Sequence, residues 1–93
     1  MTSKKTPIIA TDKNHLEVLI YDAMQEHGSA CDLNHIDVSR ITDMSDLFVN
    51  TLFAGSIDQW DVSNVIDMEN MFFNSRFNGY IGGWNVSNVK SMN

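Results

Sequence analysis

The hexapeptide WDVSNV at residues 60–65 returns as WNVSNV at residues 84–89, an offset of 24. The same offset relates Leu33, Ile57 and Ile81; Ile36, Trp60 and Trp84; Val38, Val62 and Val86; Ile41, Val65 and Val89; and Met44, Met68 and Met92. Ser39, Ser63 and Ser87 follow it, as do Phe48 and Phe72, Phe53 and Phe77, and Gly55 and Gly79. Between 60–68 and 84–92, six of nine positions are identical, and no gap is needed. One such unit cannot bury its own apolar stripe, so the period predicts stacked units whose matching side chains form columns. The recurring tryptophans and methionines are then core residues and not a cofactor box.

Within a unit, Trp60-Asp61-Val62 alternates as a half-buried strand does, and each strand is expected to pair in parallel with the next. DMENMFF, residues 67–73, reads as a short helical turn capped by Asp67, as DMSDLF reads after Asp43. Asn50 and Asn74 suit a left-handed position after each turn. Gly55 and Gly79 suit a tight return. Upstream, Leu16, Leu19, Ile20, Ala23 and Met24 form an apolar stripe at helical spacing. Thr11 or Asp12 can start that helix and Gly28 can stop it. Residues 1–30 are thus an N-terminal arm and capping helix (about 12–27), with Ile8 and Ile9 as a short strand or anchor. Residues 31–93 hold about two and a half 24-residue repeats. A partner-binding helix is the alternative for 12–27.

The spacing of Ile57, Trp60, Val62, Val65, Met68, Met71 and Phe72 resembles a leucine-rich-repeat frame. More narrowly, WDVSNVIDMENMF, with the FNGYIGGWNVSNV that follows, resembles the BspA-like leucine-rich repeats of bacterial surface proteins. The resemblance covers about residues 31–93. It implies an α/β fold: a leucine-rich-repeat-like right-handed solenoid with a parallel sheet, here preceded by a capping helix. It also implies a surface or interaction role and no catalytic residue.

Twelve acidic residues against six Lys and Arg leave a charge of −6. That excludes a phosphate-backbone partner, which needs clustered cations; Lys4-Lys5 is the sole cationic pair, at an N-terminus expected to fray. Cys31 stands alone, so no internal disulfide can form, and a reducing compartment is the simpler reading. No apolar run reaches the length of a signal peptide or membrane span. The default expectation is cytoplasmic, whereas the resemblance points to a cell surface. His15, His27 and His35 lack zinc-ligand spacing. Cys31 with His35 as base lacks an orienting third group. No phosphate loop, nucleophile elbow or catalytic carboxylate pair occurs. The expectation is no enzyme and no cofactor.

Two surfaces remain. Asn34, His35, Asp37, Asp58, Gln59, Asp61, Gly82, Gly83 and Asn85 would face outward as a shallow acidic surface for a protein ligand. In it Asp37, Asp61 and Asn85 would stand in a row about 4.8 Å apart. Local turn hydrogen bonding is the preferred reading of that row, and a weak Ca²⁺ ladder is the alternative. At the other end, Phe77, Ile81, Trp84, Val86 and Val89 would lie on a terminal coil, with an unpaired strand edge over 80–89. Two readings stay open: a homodimer joined end to end, slightly preferred, or a piece of a longer array. The functional expectation is a non-catalytic protein-interaction module. The alternative is a self-associating structural element or a fragment of a larger surface adhesin or lipoprotein.

Overall fold

In the computed structural model, which describes residues 8–92, the 24-residue period recurs as contact in space. Parallel bridges join Asp32 to Ser56, Asp43 to Asp67, Asp67 to Ser91 and Met68 to Met92. Lys4 and Lys5 lie outside the described residues. The regular elements are β1 (Ile8–Ile9), α1 (Lys13–His27), β2 (Ile36–Asp37), β3 (Asp67–Met68) and β4 (Ser91–Met92). β1 pairs in parallel with β2, and β3 with β4.

Each unit is a chain of tight turns. The N–H groups of Ile36, Trp60 and Trp84 donate to the carbonyls of Leu33, Ile57 and Ile81, three residues back, at 3.1–3.2 Å. Those of Ile41, Val65 and Val89 reach Val38, Val62 and Val86 at 2.9–3.0 Å. Met44–Leu47 and Met68–Met71 close in the same way at 3.2 and 3.1 Å. Such a bond brings both ends of the four-residue segment together. Apolar residues three apart therefore point into one core.

Three local expectations are corrected by this geometry. Trp60-Asp61-Val62 does alternate buried, exposed, buried, but it forms no strand. It is the joint between two turns, and the parallel bridges fall at 67–68 instead. Residues 80–89 are not a strand either. DMENMFF is not helical, because Asn70 (φ 57°) and Asn74 (φ 53°) are left-handed, like Asp46 (59°) and Asn50 (56°) one unit earlier. A left-handed residue breaks a right-handed helix, and Asn and Asp tolerate it best among side-chain-bearing residues. Asn50 and Asn74 thus hold the backbone conformation expected of them. The amides freed from a helix reach across instead. Met44, Asp46, Phe48 and Asn50 donate to the carbonyls of Asp67, Glu69, Met71 and Phe73 at 2.8–3.0 Å.

Gly55 also serves a purpose other than the expected one. The sole glycine with positive φ among the described residues is Gly28. At Gly55 a Cβ would stand 1.7 Å from the Cys31 carbonyl oxygen, so the absent side chain lets one unit lie against the preceding one.

The core runs through all units. Aromatic rings stack at the 24-residue spacing: Phe48 on Phe72 (5.7 Å between centroids), Phe53 on Phe77 (5.8 Å) and Trp60 on Trp84 (6.4 Å). The indole N–H of Trp60 donates to the Leu33 carbonyl at 2.8 Å, and that of Trp84 to Ile57 at 3.0 Å. Each buried ring thus keeps its polar tip satisfied.

α1 packs Leu16, Ile20 and Ala23 into the same core, with Leu19 and Met24 half-buried beside them. The Asp12 carboxylate accepts the His15 N–H at 2.8 Å and begins the helix. The Gly28 N–H closes it on the Met24 carbonyl at 2.9 Å. Ahead of α1, Ile8 and Ala10 donate to the carbonyls of His35 and Asp37, both at 3.0 Å, along the outer side of the first unit.

Candidate interaction surfaces

The outward carboxylates are held by their own turns. Asp37 accepts the N–H and hydroxyl of Ser39 at 2.9 and 2.7 Å, and Asp61 accepts those of Ser63 at 3.1 and 2.6 Å. Asn85 accepts the Ser87 N–H at 3.1 Å. Asp and Asn commonly bond backbone two residues on, which makes the small turn that starts each VSN segment. The hydroxyl bond first, and the amide bond second, hold the Asp37 and Asp61 carboxyls below the ordinary aspartate range. Desolvation first, and nearness to Asp37 second, raise Asp61 against this.

The rest of the expected acidic face is knitted across units. The Asn34 amide donates to Asp58 at 3.1 Å, and its oxygen accepts the Gln59 N–H at 2.8 Å. The side-chain bonds from Gln59 and then Asn34 lower the Asp58 carboxyl. His35 is half-buried, and its carbonyl receives β1. Asp37, Gln59, Asp61, Gly82, Gly83 and Asn85 are exposed. The face is therefore anionic at neutral pH, and one oxygen of each ladder carboxylate is already engaged locally. Among the described residues, no group of three or more His, Cys, Asp or Glu is placed to hold a metal ion.

Two further features carry the period: the first lies at Asp43 and Asp67, the residues expected to cap a turn, and the second was not singled out in the sequence. Asp43 holds the Ser45 amide and hydroxyl at 2.9 and 2.7 Å, which lowers its carboxyl, and Asp67 holds the Glu69 amide at 2.9 Å. Along one flank, Asn64 and Asn88 donate to the carbonyls of Ser39 and Ser63 at 2.8 and 2.7 Å. Arg40, Thr42, Ile66 and Lys90 complete an open groove with them. The signal was present as the repeated Ser-Asn pair at 63–64 and 87–88.

The terminal coil is less exposed than expected. Trp84 is 9% exposed, Phe77, Ile81 and Val89 are half-buried, and Val86 is 38% exposed. Ile81, Trp84 and Val86 border an open apolar hollow of about 440 Å³, whose other walls are Met68, Met71, Phe72 and Gly82.

A chain of short units joined at a 24-residue register is a repeat-containing protein. Its residues 18–93 match the family described as "Mycoplasma protein of unknown function, DUF285", and the chain belongs to that family. No curated protein and no solved structure matches it. Among the described residues, no helix is long and apolar enough to cross a membrane.

Proposed function

We propose that this chain is a non-catalytic protein-interaction module of the BspA-like surface-repeat kind. Its units form a leucine-rich-repeat-like right-handed solenoid, with β1 and α1 as the cap at the N-terminal end. The observation that carries this reading is the stacking of Phe48 on Phe72, Phe53 on Phe77 and Trp60 on Trp84. Rings held in register at one period are what units stacked on their neighbours would give, which supports a solenoid. Such an architecture leaves its outward positions free for a partner.

The partner-binding surface is the anionic face of Asn34, His35, Asp37, Asp58, Gln59, Asp61 and Asn85. Its ligand is a protein with a cationic patch, drawn by complementary charge. The test is affinity capture from the source cell with the natural chain and with an Asp37→Lys/Asp61→Lys variant. A protein retained by the first, lost from the second and released by salt supports this face. Identical retention by both removes it. A second reading, self-association through the terminal coil, has the open hollow beside Trp84 in its favour.

A further inference from the structure

The Phe77 ring stacks on those of Phe53 (5.8 Å between centroids) and Phe72 (4.9 Å). Two residues on, a Cβ at Gly79 would stand 2.7 and 2.8 Å from carbons of that ring, so the packed ring demands glycine there. The residue ahead of Gly79 is Asn78. Both are exposed, and among the described residues neither the Asn78 carboxamide nor the Gly79 N–H has a hydrogen-bond partner. Ala54 and Gly55 hold the same places one unit earlier, with the next unit stacked on them. Ala54 is exposed there all the same, and the Gly55 N–H is likewise without a partner among the described residues. The openness of residues 78–79 thus belongs to their place in the unit and persists where a further unit follows.

We infer that Asn78-Gly79 is a self-modification site, at which the chain converts Asn78 to isoaspartate. The Gly79 nitrogen, giving its proton to solvent base, attacks Asn78 Cγ. A bond forms between them, the Cγ–Nδ2 bond breaks, and Nδ2 leaves as ammonia with a proton taken from water. The product is a five-membered succinimide. Water then adds at one of its two carbonyls. Opening at Cγ gives aspartate, and opening at the main-chain carbonyl gives isoaspartate, with the chain running through Cβ. Nothing is oxidised or reduced. Glycine favours the attack, because no Cβ crowds its nitrogen and its backbone turns freely. Elsewhere the step is obstructed. Asn64, Asn85 and Asn88 precede valine, whose branched Cβ stiffens and crowds the approach. The Asn64, Asn74 and Asn88 carboxamides are also held, by Ser39, Asn50 and Ser63. Isoaspartate lengthens the backbone by one atom between Phe77 and Trp84. Phe77 on Phe53 and Trp84 on Trp60 then cannot both keep their register, and the Trp84 indole is drawn off the Ile57 carbonyl, now at 3.0 Å. This consequence rests on the stacked-unit reading above, whereas the chemistry does not.

The test incubates the full chain in warm, mildly alkaline buffer and samples it over days. Peptide mapping by mass spectrometry, with an isoaspartyl methyltransferase as the probe, locates the product. Position 78 should convert at least tenfold faster than any other asparagine. Asn78→Ala, which installs the residue found at position 54, should remove the signal and leave the urea midpoint unchanged. Equal conversion at Asn78 and Asn64, or none at Asn78, overturns the inference. The isoaspartate fraction, separated by chromatography, is then read for indole hydrogen exchange. Trp84 should exchange at least tenfold faster than in the fresh chain, with Trp60 unchanged. An unaltered Trp84 in that fraction overturns the loss of register. If Trp84 already exchanges like an exposed indole in the fresh chain, the stacked units themselves are at fault, and the loss of register falls with them.

Discussion

Replacing Gly55 with Ala tests how closely the units approach. The new Cβ would lie 1.7 Å from the Cys31 carbonyl oxygen and 2.7 Å from its carbon, with the Phe53 ring at 2.9 Å. A carbon–oxygen contact needs roughly 3.3 Å, so the two segments must part by about 1.6 Å. Backbone on both sides cannot yield as a side-chain tip would. The parting breaks the Ser56 N–H bond to Cys31 (3.2 Å) and the Leu33 N–H bond to Ser56 (3.0 Å). Each is worth about 1 kcal/mol net. Overpacking strain adds about 1–3 kcal/mol. The sum, about 3–5 kcal/mol, is a large part of the roughly 5–14 kcal/mol expected for a domain of this length. Gly83→Ala is the control. A Cβ there meets nothing within 4 Å, and the change should stay within about 0.5 kcal/mol. Urea titration followed by tryptophan fluorescence reads both. Equal midpoints and slopes for the two variants would refute the close approach and the stacking built on it.

Other outcomes follow from the same geometry. Asn50→Val places a β-branched residue at φ 56° and should cost about 1–3 kcal/mol, while Asn50→Gly should recover most of it by urea titration. Asp37, Asp43 and Asp61 have folded-state values held below the unfolded aspartate value, so their contribution is complete above about pH 4 and is lost as pH falls through the lowered values. The melting temperature should drop below about pH 4, and a Ser39→Ala/Ser45→Ala/Ser63→Ala variant should lose more stability at pH 6 than at pH 2; an equal loss at both contradicts the assignment. Trp84→Phe leaves the Ile57 carbonyl without its indole donor and shrinks a buried ring. A loss of about 1–3 kcal/mol in thermal or urea melts is expected.

The columns were legible because a fixed offset needs no knowledge of backbone shape. Phe48 and Phe72 meet whatever conformation joins them, provided both units share it. The path within a unit was not legible, because turn and strand leave the same trace over three residues. Trp60-Asp61-Val62 alternates whether it is pleated or is the joint of two turns. Residues 67–73 carry the 3- and 4-residue spacing of a helix, and only the Asn70 conformation shows that no helix forms. The Asp row of the candidate site was legible as a row, since 37, 61 and 85 share the offset. That Ser39 and Ser63 hold its carboxylates could be foreseen from the Asp-Val-Ser spacing. The Asn34–Asp58–Gln59 links could not, because they depend on how far one unit turns relative to the next.

The four amide bonds from residues 44, 46, 48 and 50 to residues 67, 69, 71 and 73 bear on heredity as well as on stability. Deleting one codon between the two segments would move each donor opposite a side chain instead of a carbonyl. Unequal recombination that adds or removes 72 nucleotides, a full 24-residue period, would leave each donor facing a carbonyl again. Length in this lineage should therefore change by whole periods.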